Sequence, residues 1–265
     1  MLKFFKKLYK NGNIKVSYYL DEFNQYHNGS GPAFKKFFED GTLQDVFYYK
    51  HGLAHRDDGP AIICYHTNGN IKEQYWYKDN IHHREDNQPA TILYRPNGTV
   101  EFEFYYQNDK LHRTDGPAKI QYSKKGNIVS EIYYQNDKLH RLDGPAIIDY
   151  KQNGDIDAEY YLVNDKYHRE NGPAVSWYND NNNIEKQYYY LNGKFYNPTG
   201  PTIISYYENG NVKSEQYRNK NNLVHRSNGP ATIFYNMDGS IKQEKYYING
   251  IKYDELQYYI IIGCD

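Results

Sequence analysis

One phrase returns eight times along this chain at a nearly fixed interval. It reads Leu111-His112-Arg113-Thr114-Asp115-Gly116-Pro117-Ala118 in one copy and Leu139-His140-Arg141-Leu142-Asp143-Gly144-Pro145-Ala146 in the next. Its proline falls at Pro32, Pro60, Pro89, Pro117, Pro145, Pro173, Pro201 and Pro230, in steps of 28 or 29 residues. A period of this size marks a solenoid or array, in which each unit buries its apolar face only against its neighbours. Residues 1–265 therefore read as a single repeat array. About eight units of 28 or 29 residues span 11–250, and a C-terminal cap covers 251–265.

Within one unit, Ala146-Ile147-Ile148-Asp149-Tyr150 is followed by a turn at Asn153-Gly154. A second run, Ile156 to Tyr161, then leads to another turn at Asn164-Asp165. Ala146, Ile148 and Tyr150 alternate, as do Ala118, Ile120 and Tyr122, and a period of two places them on one strand face. Asn-Gly and Asp-Gly provide the positive φ of tight hairpins. The second run ends in paired aromatics such as Tyr105-Tyr106, Tyr133-Tyr134 and Tyr189-Tyr190. Neighbouring strand residues face opposite ways, so one ring of each pair should enter the core and the other should line a surface. The expected fold is all-β, an elongated array of antiparallel hairpins. Roughly 17 strands at about 4.8 Å each give a length on the order of 80 Å. Asp254 to Ile262 breaks the pattern and should close the open end as a short capping helix or a last strand.

Mean hydropathy is low, at -1.00, but 33 tyrosines and 11 phenylalanines supply burial area that a disordered chain would lack. Net charge is -1, so no bulk electrostatic pull toward nucleic acid exists, and attraction to a membrane surface is weakly supported. Cys64 and Cys264 stand 200 residues apart, which is no disulfide framework and fits a reducing compartment. The lysine-rich start, Lys3 to Lys10, has no apolar stretch after it, as a signal peptide would, and no apolar run has the length of a membrane-spanning helix. A cytoplasmic location is expected.

The phrase has a structural account at every position. Proline lacks an N–H, glycine allows unusual backbone, aspartate bonds its own turn, and arginine pairs with the aspartate or stacks on a ring. His112, Arg113, Asp115, Gly116 and Pro117, with His140, Arg141, Asp143, Gly144 and Pro145, are therefore read as repeat-turn residues. On this reading Gly144 should matter more than His140, through backbone geometry. The histidines in register would stand roughly 10 Å apart, too far to share a metal ion. The recurrent acids Glu73, Glu103, Glu131, Glu159, Glu215 and Glu244 read as a solvated face. No phosphate loop, catalytic constellation, cofactor site or metal site emerges. Three departures stand out: Asn87-Gln88-Pro89 with an added residue, a longer turn at Arg218 to Asn222, and Tyr196-Asn197-Pro198-Thr199. Tyr196, Asn197 and Thr199 form a candidate interaction patch.

The run Tyr133-Tyr134-Gln135-Asn136-Asp137-Lys138-Leu139-His140, followed by Gly144, Tyr150 and Asn153-Gly154, resembles the MORN repeat. The resemblance spans about Asn11 to Gly250 and is closest to variant arrays abundant in amoeba-infecting giant viruses and some bacteria. The unit here is longer than the usual one, and His-Arg-x-Asp-Gly-Pro-Ala replaces the family's His-Gly step. The resemblance implies an elongated antiparallel sheet of successive hairpins, a viral source with location in host cytoplasm or virion, and some lipid binding. The expected function is a non-catalytic scaffold that binds a protein, including a second copy of itself as a homo-oligomer. The alternative is a carbohydrate- or lipid-binding module that uses surface tyrosines, and a third reading is an enzyme of unrecognised type.

Overall fold

A computed structural model describes residues 1–263, and Cys264 lies outside the described residues. The chain divides into two compact units, Met1–Asp137 and Lys138–Asp265. Both are built almost wholly of antiparallel hairpins, and among the described residues one helix, Glu255–Ile262 (α1), ends the second.

In each unit sheet order follows chain order. Lys3–Leu8 pairs with Ile14–Leu20, which pairs with Phe34–Phe37, and the ladder continues strand by strand to Lys119–Tyr122 paired with Ile128–Ile132. The second unit repeats the pattern from Ile147–Tyr150 to Ile241–Ile248. Within each unit, successive strands of the long ladder are neighbours in space, as the fixed period requires.

Each unit of the repeat holds two hairpins rather than one. The long hairpin pairs Ile147–Tyr150 with Ile156–Tyr160. The turn between them closes through Gly154 N–H donating to Lys151 O at 3.0 Å, with Gly154 at φ 93° and a register shift at Asp149/Tyr150. A single left-handed residue beside a bulge fits a type I turn with a glycine bulge, not a two-residue mirror turn. The mirror turn lies elsewhere. Asn164 (φ 50°) and Asp165 (φ 64°) are both left-handed and join Leu162–Val163 to Lys166–Tyr167, a second hairpin with two residues per strand. The sequence reading of two strands per repeat missed this element. The aromatic pair Tyr105-Tyr106 lies where the hairpins meet: Phe104 ends one ladder, Tyr105 forms the corner, and Tyr106 opens the next.

The core is thin and repetitive. The alanine of each phrase is fully buried at Ala33, Ala61, Ala90, Ala118, Ala146, Ala174 and Ala231, and Thr202 takes that place in the seventh copy. Its backbone ties two strands together: Ala174 O accepts from Tyr161 N–H at 2.7 Å, and Ala174 N–H donates to Tyr188 O at 2.8 Å. Thr202 keeps both ties, accepting from Tyr189 N–H at 2.8 Å and donating to Gln216 O at 2.9 Å, so the place admits a small side chain.

The tail is both a strand and a helix. Ile251–Tyr253 pairs back on Ile241–Ile248, and α1 follows with Asp254 and Gln257 forming a reciprocal capping box. Tyr258 is fully buried beneath it. Its hydroxyl donates to Arg226 O and accepts from Gly229 N–H, both at 2.9 Å, so the helix is pinned to the last phrase.

Candidate functional site

The phrases form the chemically richest line on the molecule, and arginine organises six of the eight, Asn28 and Asn197 standing in its place in the first and seventh. The guanidinium carbon lies over the ring of the first aromatic of the preceding pair: 4.0 Å from Tyr48 for Arg56, 3.8 Å from Tyr105 for Arg113, and 3.9 Å from Tyr161 for Arg169. Arg84 stacks likewise on Trp76, and Arg226 on Tyr217. The same guanidinium donates through Nη1 to the phrase's proline carbonyl, at 3.3 Å for Arg113–Pro117 and Arg141–Pro145. Proline has no N–H to offer the turn, and its carbonyl is secured by the side chain instead.

This arrangement changes the reason for the glycine. Gly144 is not in the left-handed region, so its backbone alone does not demand glycine. A Cβ there would stand 2.8 Å from Arg141 Cζ. A side chain at Gly144 would displace the guanidinium that lies against it, and Gly116 meets Arg113 Cζ at 3.2 Å in the same way.

The expected arginine–aspartate pair forms in two copies. Arg141 Nε donates to Asp143 at 2.9 Å and Arg56 Nε to Asp58 at 2.7 Å. The arginine hydrogen bond, and after it the guanidinium charge, hold both carboxyls below their ordinary value of 3.8. It does not form at Asp115. Arg113 Nε reaches Asn87 of the preceding phrase at 2.8 Å instead.

The histidine has a role that sequence reasoning did not find. His112 Nδ1 accepts the N–H of Asn136, the first turn residue of the next short hairpin, at 3.2 Å. His168 serves Asn192 and His225 serves Asn249 at the same distance. His140 lies 3.2 Å from the Asn164 side chain. The second turn residue adds a clasp, with Asp137 accepting from Leu111 N–H at 2.7 Å and donating its own N–H to Leu111 O at 3.0 Å. Left-handed Asn-Asp turns bring these groups into place. The signal lay in the fixed offset between His and the next Asn-Asp.

The recurrent acids are likewise engaged rather than solvated. Tyr122 donates its hydroxyl to Glu103 at 2.9 Å, and Tyr178 to Glu159 at 2.9 Å. Gln74 and Gln187 accept from Tyr94 and Tyr206 in the equivalent places. Burial, then the carboxylate hydrogen bond, pushes the Tyr178 phenol up to about 12. The aromatic pairs do face opposite ways. The second rings stack along the short hairpins, Tyr106 on His82 at 4.0 Å and Tyr190 on Phe195 at 4.2 Å. The surface row expected of them is absent: among the described residues the exposed tyrosines are Tyr26 and Tyr196. Cys64 is half-buried, and burial followed by Asp45 raises its thiol to about 12, which suppresses the thiolate.

Tyr196, Asn197 and Thr199 do lie together. They occupy the histidine, arginine and aspartate places of the seventh phrase. Tyr196 is 50% exposed. Asn197 Nδ2 donates to Pro201 O at 2.7 Å, while its Oδ1 accepts from Thr199 N–H at 3.3 Å.

In the first unit, three successive clefts run along the phrases. Two of about 520 and 570 Å³ flank Arg56-Asp57-Asp58, and a third of about 310 Å³ lies between His83–Gln88 and His112–Asp115. Among the described residues no group of three or more His, Cys, Asp or Glu side chains could hold a metal ion, and no helix is long and apolar enough to cross a membrane.

No protein-family model matches the chain, and neither does any curated protein. Among solved structures, an alternansucrase in complex with isomaltononaose aligns at 17% identity and TM-score 0.19, over 88% of this chain and 16% of that one. A TcdB2-TccC3 structure aligns at 10% identity and TM-score 0.15, over 93% and 17%. The chain thus spans less than a fifth of the length of either.

Proposed function

We propose that this protein is a non-catalytic repeat scaffold, of MORN type, that presents its phrase line to a protein partner, including a second copy of itself, in the cytoplasm. The observation that carries the reading is where the reactive groups go. Imidazole, guanidinium, carboxylate and phenol groups recur along the array and are spent on bonds within and between repeats, as at Arg141–Asp143, His112–Asn136, Arg113–Asn87 and Tyr122–Glu103. An array joined this way supplies extended surface rather than one deep pocket. Its departures from the repeat, at the third and seventh phrases, are the positions that distinguish one stretch of that surface from another.

Immobilised full-length chain, incubated with lysate of its source, should retain a protein that Tyr196→Ala or an altered third phrase releases. Sedimentation of the free chain reads self-association. Saturable binding to a glycan or lipid array with no protein retained would overturn the reading.

A further inference from the structure

Ten asparagines in this chain precede a glycine. In that pairing no side chain shields the glycine nitrogen from the neighbouring amide carbon, and the backbone bends freely enough to bring the two together. Seven of the ten close hairpins, and three lie in phrases, at Asn28, Asn171 and Asn228. In all seven hairpins the glycine N–H donates to a backbone carbonyl, from 2.8 Å at Gly98–Arg95 to 3.1 Å at Gly12–Tyr9. In five of them the asparagine Oδ1 also accepts the N–H two residues on, as Asn68 does from Asn70 at 3.1 Å. Such a nitrogen must give up its carbonyl before it meets the amide, which raises the barrier.

The three phrases differ from one another. Asn28 is held at both ends of its amide, with Nδ2 donating to Pro32 O and Oδ1 accepting from Ser30 N–H, each at 3.1 Å. Asn228 Oδ1 accepts from Arg226 Nε at 3.2 Å, and Gly229 N–H donates to the Tyr258 hydroxyl at 2.9 Å. Asn171 has neither hold. Arg169 is engaged by Pro173 O and by the Tyr161 ring. Among the described residues neither the Asn171 side chain nor Gly172 N–H has a hydrogen-bond partner, and Asn171 is exposed. The two glycines share one backbone, with φ 127° at Gly172 and 135° at Gly229. Hydrogen bonding alone separates the sixth phrase from the eighth.

We propose that Asn171 is a modification site, at which the folded chain deamidates spontaneously. Gly172 N attacks Asn171 Cγ. The N–Cγ bond forms, the Cγ–Nδ2 bond breaks, and ammonia leaves with the proton that the glycine nitrogen gives up. Water then opens the cyclic imide. Addition at Cγ gives aspartate, and addition at the main-chain carbonyl gives isoaspartate. Either product adds one negative charge to the phrase. The aspartate stands where Asp143 accepts from Arg141 Nε at 2.9 Å, so it completes the regular phrase. The isoaspartate lengthens the main chain by one methylene within the turn.

The test ages the purified full chain in mildly alkaline buffer and reads each Asn-Gly peptide by mass spectrometry after digestion. Labelling with an isoaspartate-specific methyltransferase separates the two products. In the folded chain Asn171 should convert about tenfold faster than any of the other nine, and in denaturant the ten rates should converge. Tyr258→Phe removes the acceptor of Gly229 N–H. It should speed conversion at Asn228 several-fold and leave Asn171 unchanged, with circular dichroism confirming that the variant is folded. Asn171→Asp should abolish ammonia release from the sixth phrase and leave the hairpin sites as they were. A hairpin asparagine that reacts as fast as Asn171, or a lead for Asn171 that persists in denaturant, would overturn the assignment. So would a folded Tyr258→Phe chain in which Asn228 reacts no faster than before, since the glycine N–H would then not be the controlling group.

Discussion

The phrases at His140 and at Tyr196 make the same turn with different side chains. In the first, Arg141 bonds the proline carbonyl and the phrase's aspartate. In the second, Asn197 keeps the proline bond, at 2.7 Å, and is too short to cover a ring. The first phrase makes the same exchange, with Asn28 donating to Pro32 O at 3.1 Å. The carbonyl bond is therefore what the turn needs, and the cation over the aromatic ring is an addition that a copy can lose. The histidine position shows the same coupling. Tyr196 has no ring nitrogen in the place where histidine accepts a turn N–H, and the loop that follows it, Asn219 to Leu223, supplies its own acceptor: Asn219 Oδ1 takes the N–H groups of Asn221 and Leu223 at 3.0 and 3.1 Å. The altered seventh phrase and the lengthened turn of the eighth copy stand at the two ends of the bond that His168 and Asn192 make one copy earlier.

The largest effect should separate the two phrases through their glycines. Gly144→Val places a Cβ 2.8 Å from Arg141 Cζ and displaces the guanidinium, which takes the donor away from the carbonyl of the buried Pro145. A loss of about 2–3 kcal/mol is expected. Gly200→Val meets only Asn197 Nδ2, at 3.2 Å, and a short amide can turn aside. Its cost should be about half. Chemical denaturation of the two variants checks this, and equal losses would mean that the glycines serve the backbone after all.

Next in size is the imidazole. His168→Ala removes the acceptor for Asn192 N–H and should cost about 1 kcal/mol. Tyr196→Ala removes no such bond and should cost less, as compared in the same melts.

How much of this could be read beforehand follows the length scale of each feature. The period, the long hairpins and the buried alanine were legible because alternation and proline spacing persist over many residues. The short hairpins were not, since strands such as Leu162–Val163 are too brief to show a period. Their Asn-Asp turns are the available sign, and in sequence they read as plain connections. The ring beneath each arginine was not legible either. Tyr105 and Arg113 are joined by a fold-back within one repeat, and sequence adjacency suggested the aspartate instead. Asp115 shows the limit most plainly. Its phrase is regular, yet a residue inserted one repeat earlier removes its partner.

A gain should follow from restoring what the seventh phrase lacks. Asn197→Arg keeps a donor for Pro201 O and returns a guanidinium to the face of Tyr189, as Arg169 covers Tyr161 at 3.9 Å. Gly200 leaves room for it. Stabilisation of about 0.5–1 kcal/mol is expected at a partly exposed ring. No gain would show that the stack in the other phrases follows from the turn and does not support it.

The smallest difference lies in pH. Asp143 is held below 3.8 by the Arg141 hydrogen bond, and then by that residue's charge. A depressed carboxyl contributes its stability above its unfolded value and loses it as pH falls through the folded one. The Arg141–Asp143 bond should therefore persist at neutral pH and weaken progressively below 3.8. Arg226 makes the corresponding bond to Asn228, at 3.2 Å, through an amide that does not titrate. Arginine Nε–H resonances followed from pH 7 downward distinguish the two: Arg141 should move in the acid range while Arg226 stays still. Asp143 is fully exposed to solvent, so the expected change is local, with no measurable shift in the midpoint of global unfolding. Parallel movement of both resonances would mean that the array loosens as a whole in acid, and that the aspartate of the regular phrase adds nothing that asparagine does not.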